Sequence, residues 1–73
     1  MIKITYYSET IDNWGRTESS SNGDVIQRIL MNAEDWNDDM QFEDENGQVY
    51  FIDDLIGKEV SVEGIGTFTV PKD

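Results

Sequence analysis

Apolar and polar residues alternate from the start of the chain. Ile2, Ile4 and Tyr6 occupy every second position, which is the period of a strand with one buried face. This pattern predicts a first strand over 2–8, with these three side chains directed toward a core.

Alternation returns in the last third of the chain. Over 58–63 the two valines take alternate positions, and over 67–70 Phe68 and Val70 do the same. The glycine-containing segment 64–66 between them is typical of a tight turn. Two further strands joined by a short turn are therefore expected here, with the alternating apolar residues facing inward.

One segment has the period of a helix. Val25, Ile29, Ala33 and Trp36 follow one another at helical spacing and form a single apolar stripe. The Asn-Asp-Asp run that follows favours turns and is poorly placed at the negative end of a helix. We predict one amphipathic helix over 22–36, with the tryptophan at the end of its stripe buried.

The dipeptide Asn46-Gly47 predicts a β-hairpin, because a two-residue type I′ turn needs positive φ at both positions. In that register Phe42 faces Phe51 across the two strands. The residues expected on the buried face are Met40, Phe42, Val49 and Phe51, and those expected on the outer face are Glu43, Glu45, Gln48 and Tyr50.

Two shorter segments are less regular. The turn chemistry of 12–15 allows 16–20 to return as a second strand, so 9–20 is interpreted as a loop with a possible short strand. The segment 53–57 opens with aspartate and closes with glycine, which indicates a single helical turn.

Together these elements predict one α+β domain covering residues 1–73. Its architecture would be one amphipathic helix packed on an antiparallel sheet of four or five strands. A chain of this length buries only about 60% of its unfolded surface, so one small core is expected.

The net charge of the chain restricts which partners such a domain can bind. The chain carries five basic and sixteen acidic residues, for a net charge of -11, and it lacks both cysteine and histidine. DNA, RNA and anionic membranes would be repelled by this surface, whereas a basic protein would be attracted. No apolar run approaches the roughly 18 residues of a membrane span. We expect a monomer or small homodimer in the cytoplasm of a bacterial host.

The acids are concentrated in one segment. Nine of the sixteen lie between Glu34 and Asp54, and no Lys or Arg occurs between Arg28 and Lys58. Aromatic and aliphatic residues are interleaved with them, which indicates folded structure. Such a segment has three interpretations: a device for solubility, a surface that steers a basic partner, or a mimic of nucleic-acid phosphates.

Catalytic and metal-binding chemistry fits the segment poorly. If Gly47 takes the sixth position of a calcium-binding loop, Phe42 falls at the first position, where an oxygen ligand is required. Paired carboxylates acting as acid and base need a pocket, for which a one-helix domain has little room. We therefore predict that the protein is not an enzyme and has no catalytic residue, metal or cofactor.

The candidate site is a partner-binding surface. Two glutamates at alternate strand positions, Glu43 and Glu45, would lie about 6.7 Å apart, which approaches the spacing of backbone phosphates. Trp14, in a polar loop, either contacts the partner or caps the edge of the core, and Tyr50 would anchor the partner from the outer face. The predicted partner-binding residues are Asp35, Asp38, Asp39, Glu43, Asp44, Glu45, Tyr50 and Trp14.

In general character the chain resembles the small acidic proteins that phages and mobile elements use against host defence. These include anti-CRISPR proteins, antirestriction DNA mimics and inhibitors of uracil-DNA glycosylase. The resemblance covers size, the lack of Cys and His, and the acids of 34–54 on an α+β frame.

This resemblance implies an inhibitor that binds a basic nucleic-acid-binding protein of a bacterial defence system, such as a CRISPR effector or a restriction nuclease. Charge mimicry would block the DNA or RNA site of that protein. The alternative is an antitoxin, an immunity-type protein or an accessory protein that binds one basic partner without imitating nucleic acid.

Overall fold

A computed structural model describes residues 1–72 and shows an α+β fold with one mixed sheet of six strands. The strands are β1 (Ile2–Thr10), β2 (Thr17–Ser20), β3 (Gln41–Asp44), β4 (Val49–Phe51), β5 (Glu59–Val62) and β6 (Gly66–Thr69). The helices are α1 (Gly23–Leu30), a 3-10 turn (Ala33–Asp35) and α2 (Ile52–Leu55).

The first strand organises the sheet. One edge of β1 pairs antiparallel with β3, and its other edge is shared by β5 and β2. Residues 2–4 pair parallel with β5, whereas residues 7–10 pair antiparallel with β2. The strand order is β4-β3-β1-β5-β6, with β2 outside this path.

The predicted fold class is confirmed and its detail is corrected. There are six strands rather than four or five, and the pairing of β1 with β5 is parallel rather than antiparallel. The possible strand in 9–20 is present as β2, which forms a hairpin with β1. Alternation alone could not indicate the parallel pair, because it has the same period in both kinds of ladder.

A register shift interrupts β1 at Thr5. Ile4 pairs with Asp44 but Tyr6 pairs with Glu43, so one residue of β1 has no partner on β3. This irregularity is a β-bulge and reverses the alternation of faces beyond it. Tyr7 is consequently buried, and the prediction that Tyr6 faces the core is wrong.

Helix α1 is shorter than the predicted helix over 22–36. The Asn22 side chain caps its first turn by accepting from the backbone N–H groups of Asp24 and Val25. The helix ends at Leu30, and the backbone leaves helical geometry at Asn32, a residue type that favours turns.

Beyond the helix the chain folds back on it. The half-buried Trp36 packs against the core, and its indole N–H donates to the carbonyl of Ile29 at 2.9 Å. Since carbonyls in the last turn of a helix have no partner within it, this bond stabilises the helix end.

The hairpin between β3 and β4 has a different register from the predicted one. Phe42 pairs with Tyr50, not with Phe51, because the loop contains three residues rather than two. Gly47 has a φ of 82° and closes the loop, as in hairpins built on a turn followed by one left-handed residue. The shift of one residue moves Tyr50 to the inner face, and Val49 and Phe51 to the outer face.

The core lies between α1, α2 and one face of the sheet. The expected inward side chains of the last two strands are confirmed: Val60, Val62 and Val70 are buried, and Phe68 packs against them. The complete set of buried apolar residues is Ile4, Tyr7, Ile26, Leu30, Met40, Phe42, Ile52, Leu55, Val60, Val62 and Val70. Among residues 1–72, no helix is long and apolar enough to cross a membrane.

Replacing Gly47 with alanine should destabilise the protein by about 1–2 kcal/mol, because a Cβ disfavours positive φ. Asparagine tolerates this conformation better, so Gly47→Asn should cost less. Urea unfolding of both variants measures the difference. Equal stability of both variants and the parent would show that the turn does not have this geometry.

Candidate functional site

Most acids of the segment 34–54 lie at the surface. Seven are exposed, and two are half-buried in β3. The exposed acids are Glu34, Asp35, Asp38, Asp39, Glu45, Asp53 and Asp54, and the half-buried ones are Glu43 and Asp44. The fold distributes the candidate residues among several separate surface sites rather than along one line.

The first of these sites is a groove of about 750 Å³ between the β1–β2 hairpin and α1. Asp35 lines it together with Glu9, Glu18 and Arg28. Glu9 and Glu18 face each other directly across the two strands, an arrangement of like charges that is destabilising. Both were missed by the sequence analysis, because they lie outside the acidic segment and meet only through the β1–β2 pairing.

Hydrogen bonds hold Glu9 in this groove. The hydroxyl of Tyr7 and the side-chain amide of Asn37 both donate to its carboxylate. Burial, followed by the hydrogen bond to Glu9, raises the pKa of Tyr7 well above its ordinary value, so the phenol stays protonated. The phenol and the amide therefore offset part of the repulsion between Glu9 and Glu18.

The second of these sites is a concavity of about 430 Å³ beside β4 and α2. Asp38, Asp53 and Asp54 line it together with Phe51. The carboxylate of Asp54 accepts from the backbone N–H of Phe51 at 3.0 Å and so stabilises the start of α2.

The predicted pair of glutamates on one strand is wrong. Glu43 lies in β3 between Tyr6 and Val49, but Glu45 lies in the loop beyond the strand. The Nζ of Lys3 is 3.9 Å from the carboxylate of Glu45, so the fold brings a base to an acidic segment that has none in sequence. A regular line of carboxylates along β3 is therefore not formed.

Asp44 has a structural role in the hairpin. One of its carboxylate oxygens accepts from the backbone N–H groups of Asn46 and Gln48, at 2.8 Å and 2.9 Å. The other oxygen accepts from the Tyr50 hydroxyl at 3.1 Å. Desolvation pushes the pKa of Asp44 upward, but these three hydrogen bonds outweigh it and lower the pKa below its ordinary value of 3.8.

The prediction that Tyr50 faces outward is wrong. Its ring is half-buried and packs against the core, and its hydroxyl donates to Asp44. Partial desolvation and this hydrogen bond raise the pKa of Tyr50. The exposed side chains of β4 are instead Val49 and Phe51, which were expected in the core.

Trp14 does not cap the core. It is 92% exposed at the tip of the β1–β2 hairpin. The Asp12 carboxylate holds this tip by accepting from the backbone N–H groups of Trp14 and Arg16 and by pairing with the Arg16 guanidinium at 2.9 Å. This exposure rules out the core-capping role, and contact with a partner stays a prediction.

The remaining candidate, Asp39, lies in the exposed loop before β3, where its backbone N–H donates to the side chain of Asn37. Within residues 1–72, no group of three or more acidic side chains is arranged to hold a metal ion.

No family model, no curated protein and no solved structure matches this chain. The functional inference therefore depends on the surface that the chain's own residues form.

Replacing Asp44 with asparagine should destabilise the protein near neutral pH, and the loss should shrink in acid. Because folding lowers the pKa of this carboxyl, its contribution to stability is fully present above the unfolded pKa and is lost as the pH falls through the folded one. Urea unfolding of parent and variant from neutral pH to below 3.8 measures this difference.

Comparing the pair at each pH cancels the titration of the other fifteen acids, which both proteins share. The part of the difference in unfolding free energy that disappears at low pH should be smaller in a Tyr50→Phe background, since one of the three donors to Asp44 is then absent. A difference that stays constant into acid would contradict the role assigned to these hydrogen bonds.

Proposed function

We propose that this protein is a small acidic inhibitor of a nucleic-acid-binding protein of a bacterial defence system. It binds the basic DNA or RNA site of a CRISPR effector or restriction nuclease and blocks it, with carboxylates taking the place of phosphates. The supporting observation is the set of seven exposed acids of 34–54 carried on ordered structure, in a chain of net charge -11.

Electrostatics supports a basic partner of this kind. Within residues 1–72 the acids of this segment form one ion pair, that of Glu45 with Lys3, so no Lys or Arg of the described chain pairs with the other carboxylates. At physiological salt the Debye length is about 8 Å, so clustered carboxylates still act together on an approaching cation. Such a surface speeds encounter and rejects nucleic acid and other acidic proteins.

The second candidate is an antitoxin, an immunity-type protein or an accessory protein that binds one basic partner without imitating nucleic acid. The hairpin register favours it. A phosphate mimic is best served by a regular line of carboxylates, which β3 lacks, whereas Val49 and Phe51 expose apolar surface that a phosphate backbone does not offer.

Competition separates the two candidates. The immobilised protein captures partners from a lysate that contains defence systems, and duplex DNA, single-stranded RNA or buffer is then used for elution. Release of a nucleic-acid-binding protein by DNA or RNA supports the inhibitor that occupies its nucleic-acid site. A partner retained against both supports the second candidate, and no partner at all contradicts both.

Charge reversal tests which acids meet the partner. Asp38→Lys, Glu43→Lys and Asp53→Lys should each weaken binding by roughly tenfold at low salt and reduce its salt dependence, because each replaces an attraction with a repulsion. Glu63→Lys is the matched control, since it changes the net charge equally on an exposed turn outside the acidic segment. Equal weakening by all four variants would indicate an effect of net charge alone.

A further inference from the structure

One face of the sheet is left open by the fold. The buried residues of α1 and α2 pack on the face that carries Ile4, Tyr7 and Phe42. On the opposite face, the side chains of β3 and β4 are exposed or half-buried. Solvent-facing positions of antiparallel sheets are usually polar.

This open face carries three apolar side chains, here called the sheet patch: Tyr6, Val49 and Phe51. The register places Tyr6 and Val49 on either side of Glu43, and Phe51 lies two residues along β4 from Val49. Val49 is 41% exposed and Phe51 is 46% exposed, and Tyr6 does not pack against the core. Val49 and Phe51 lie about 6.7 Å apart along β4, and Tyr6 on β1 is separated from them by the intervening strand β3 and its Glu43.

Phe51 is also a poor residue for its backbone position. It stands at the N-cap of α2, where Ser, Thr, Asp or Asn would accept a hydrogen bond from the first turn. A benzyl side chain cannot do this, and this one is nearly half exposed. Neither core packing nor capping explains the phenylalanine, and positions that break a local rule in this way are often functional.

Acids surround the patch. Glu43 lies within it, and Asp38, Asp53 and Asp54 line the concavity that Phe51 also borders. The partner that fits must therefore combine an apolar contact with positive charge on its rim. A second copy of this chain would bring the same carboxylates against these, and an anionic membrane would be repelled.

We infer that the sheet patch docks a basic protein segment in which an apolar side chain is flanked by arginines. This inference rests on the basic protein partner that both candidates of the proposed function share, and it assigns the anchor of that interface. The apolar side chain packs on Val49 and Phe51, and a flanking guanidinium stacks on the Phe51 ring and pairs with the carboxylates of the concavity. Protein interfaces commonly have an apolar core surrounded by a polar rim.

The test is a titration followed by amide chemical shifts of the isotope-labelled protein. The probe is the peptide Arg-Leu-Arg-Phe-Arg, and a second peptide, Arg-Ser-Arg-Ser-Arg, has the same charge without the apolar side chains. Saturable shifts centred on Tyr6, Val49 and Phe51, with clearly tighter binding of the first peptide, are expected. Equal binding of the two peptides would overturn the apolar anchor.

Variants at exposed positions locate the contact. Phe51→Ser and Val49→Thr should each weaken binding of the first peptide by about fivefold to tenfold. Serine suits an N-cap, so Phe51→Ser should leave the free energy of unfolding nearly unchanged, which a merely structural role would not predict. Met31→Ser is the control, because it removes a similarly exposed apolar side chain at the end of α1, on the other side of the sheet.

The other outcomes are separable. Shifts confined to the acids, with no effect of Phe51→Ser, would overturn the sheet patch and leave the basic partner of the proposed function intact. Concentration-dependent shifts at Val49 and Phe51 without peptide would identify a second copy as the occupant. Absence of any saturable shift would overturn the inference, whereas the proposed function is decided independently by the elution of captured partners with DNA.

Discussion

The turn held by the Asp44 carboxylate determines much of what this protein presents to its surroundings. The two oxygens of this carboxylate accept from the backbone N–H groups of Asn46 and Gln48 and from the hydroxyl of Tyr50. These bonds fix a three-residue loop, and the loop fixes the pairing of β3 with β4. Side chains alternate between faces along a strand, so one residue of difference in that loop exchanges the inner and outer sets.

The same alternation of faces determines which side chains of β1 are buried and which are exposed. The bulge at Thr5 reverses the faces of β1, so that Tyr7 enters the core and Tyr6 joins the open face. On the inner side, beyond the edge of the core, the β1–β2 pairing brings Glu9 against Glu18. This pair of like charges costs stability, and the hydrogen bonds from Tyr7 and Asn37 to Glu9 offset part of that cost.

Much of the fold could be predicted from the sequence, because it depends on local pattern. The amphipathic stripe located α1, and alternation located the inward valines of the last two strands. The end of α1 was misplaced, since the stripe continues through the 3-10 turn to Trp36. The parallel pairing of β1 with β5 joins segments more than fifty residues apart, which no local pattern encodes.

The candidate site was less predictable for the same reason. The exposed acids are evident from composition, but their neighbours depend on register and on pairing at long range. The Asn46-Gly47 dipeptide fits both a two-residue and a three-residue loop, and the Asp44 side chain stabilises the three-residue one through its hydrogen bonds. The ion pair of Glu45 with Lys3 joins the β3–β4 loop to β1 and could not be predicted from the acidic segment alone.

The register of the β3–β4 hairpin is the central claim, and the most direct measurement is the pattern of cross-strand Hα–Hα nuclear Overhauser effects. Non-hydrogen-bonded pairs bring Cα atoms to about 4.5 Å. The register described here predicts strong effects between Glu43 and Val49 and between Gln41 and Phe51. Effects between Asp44 and Val49 and between Phe42 and Phe51 would contradict it, because they would return Phe51 to the core and remove the sheet patch.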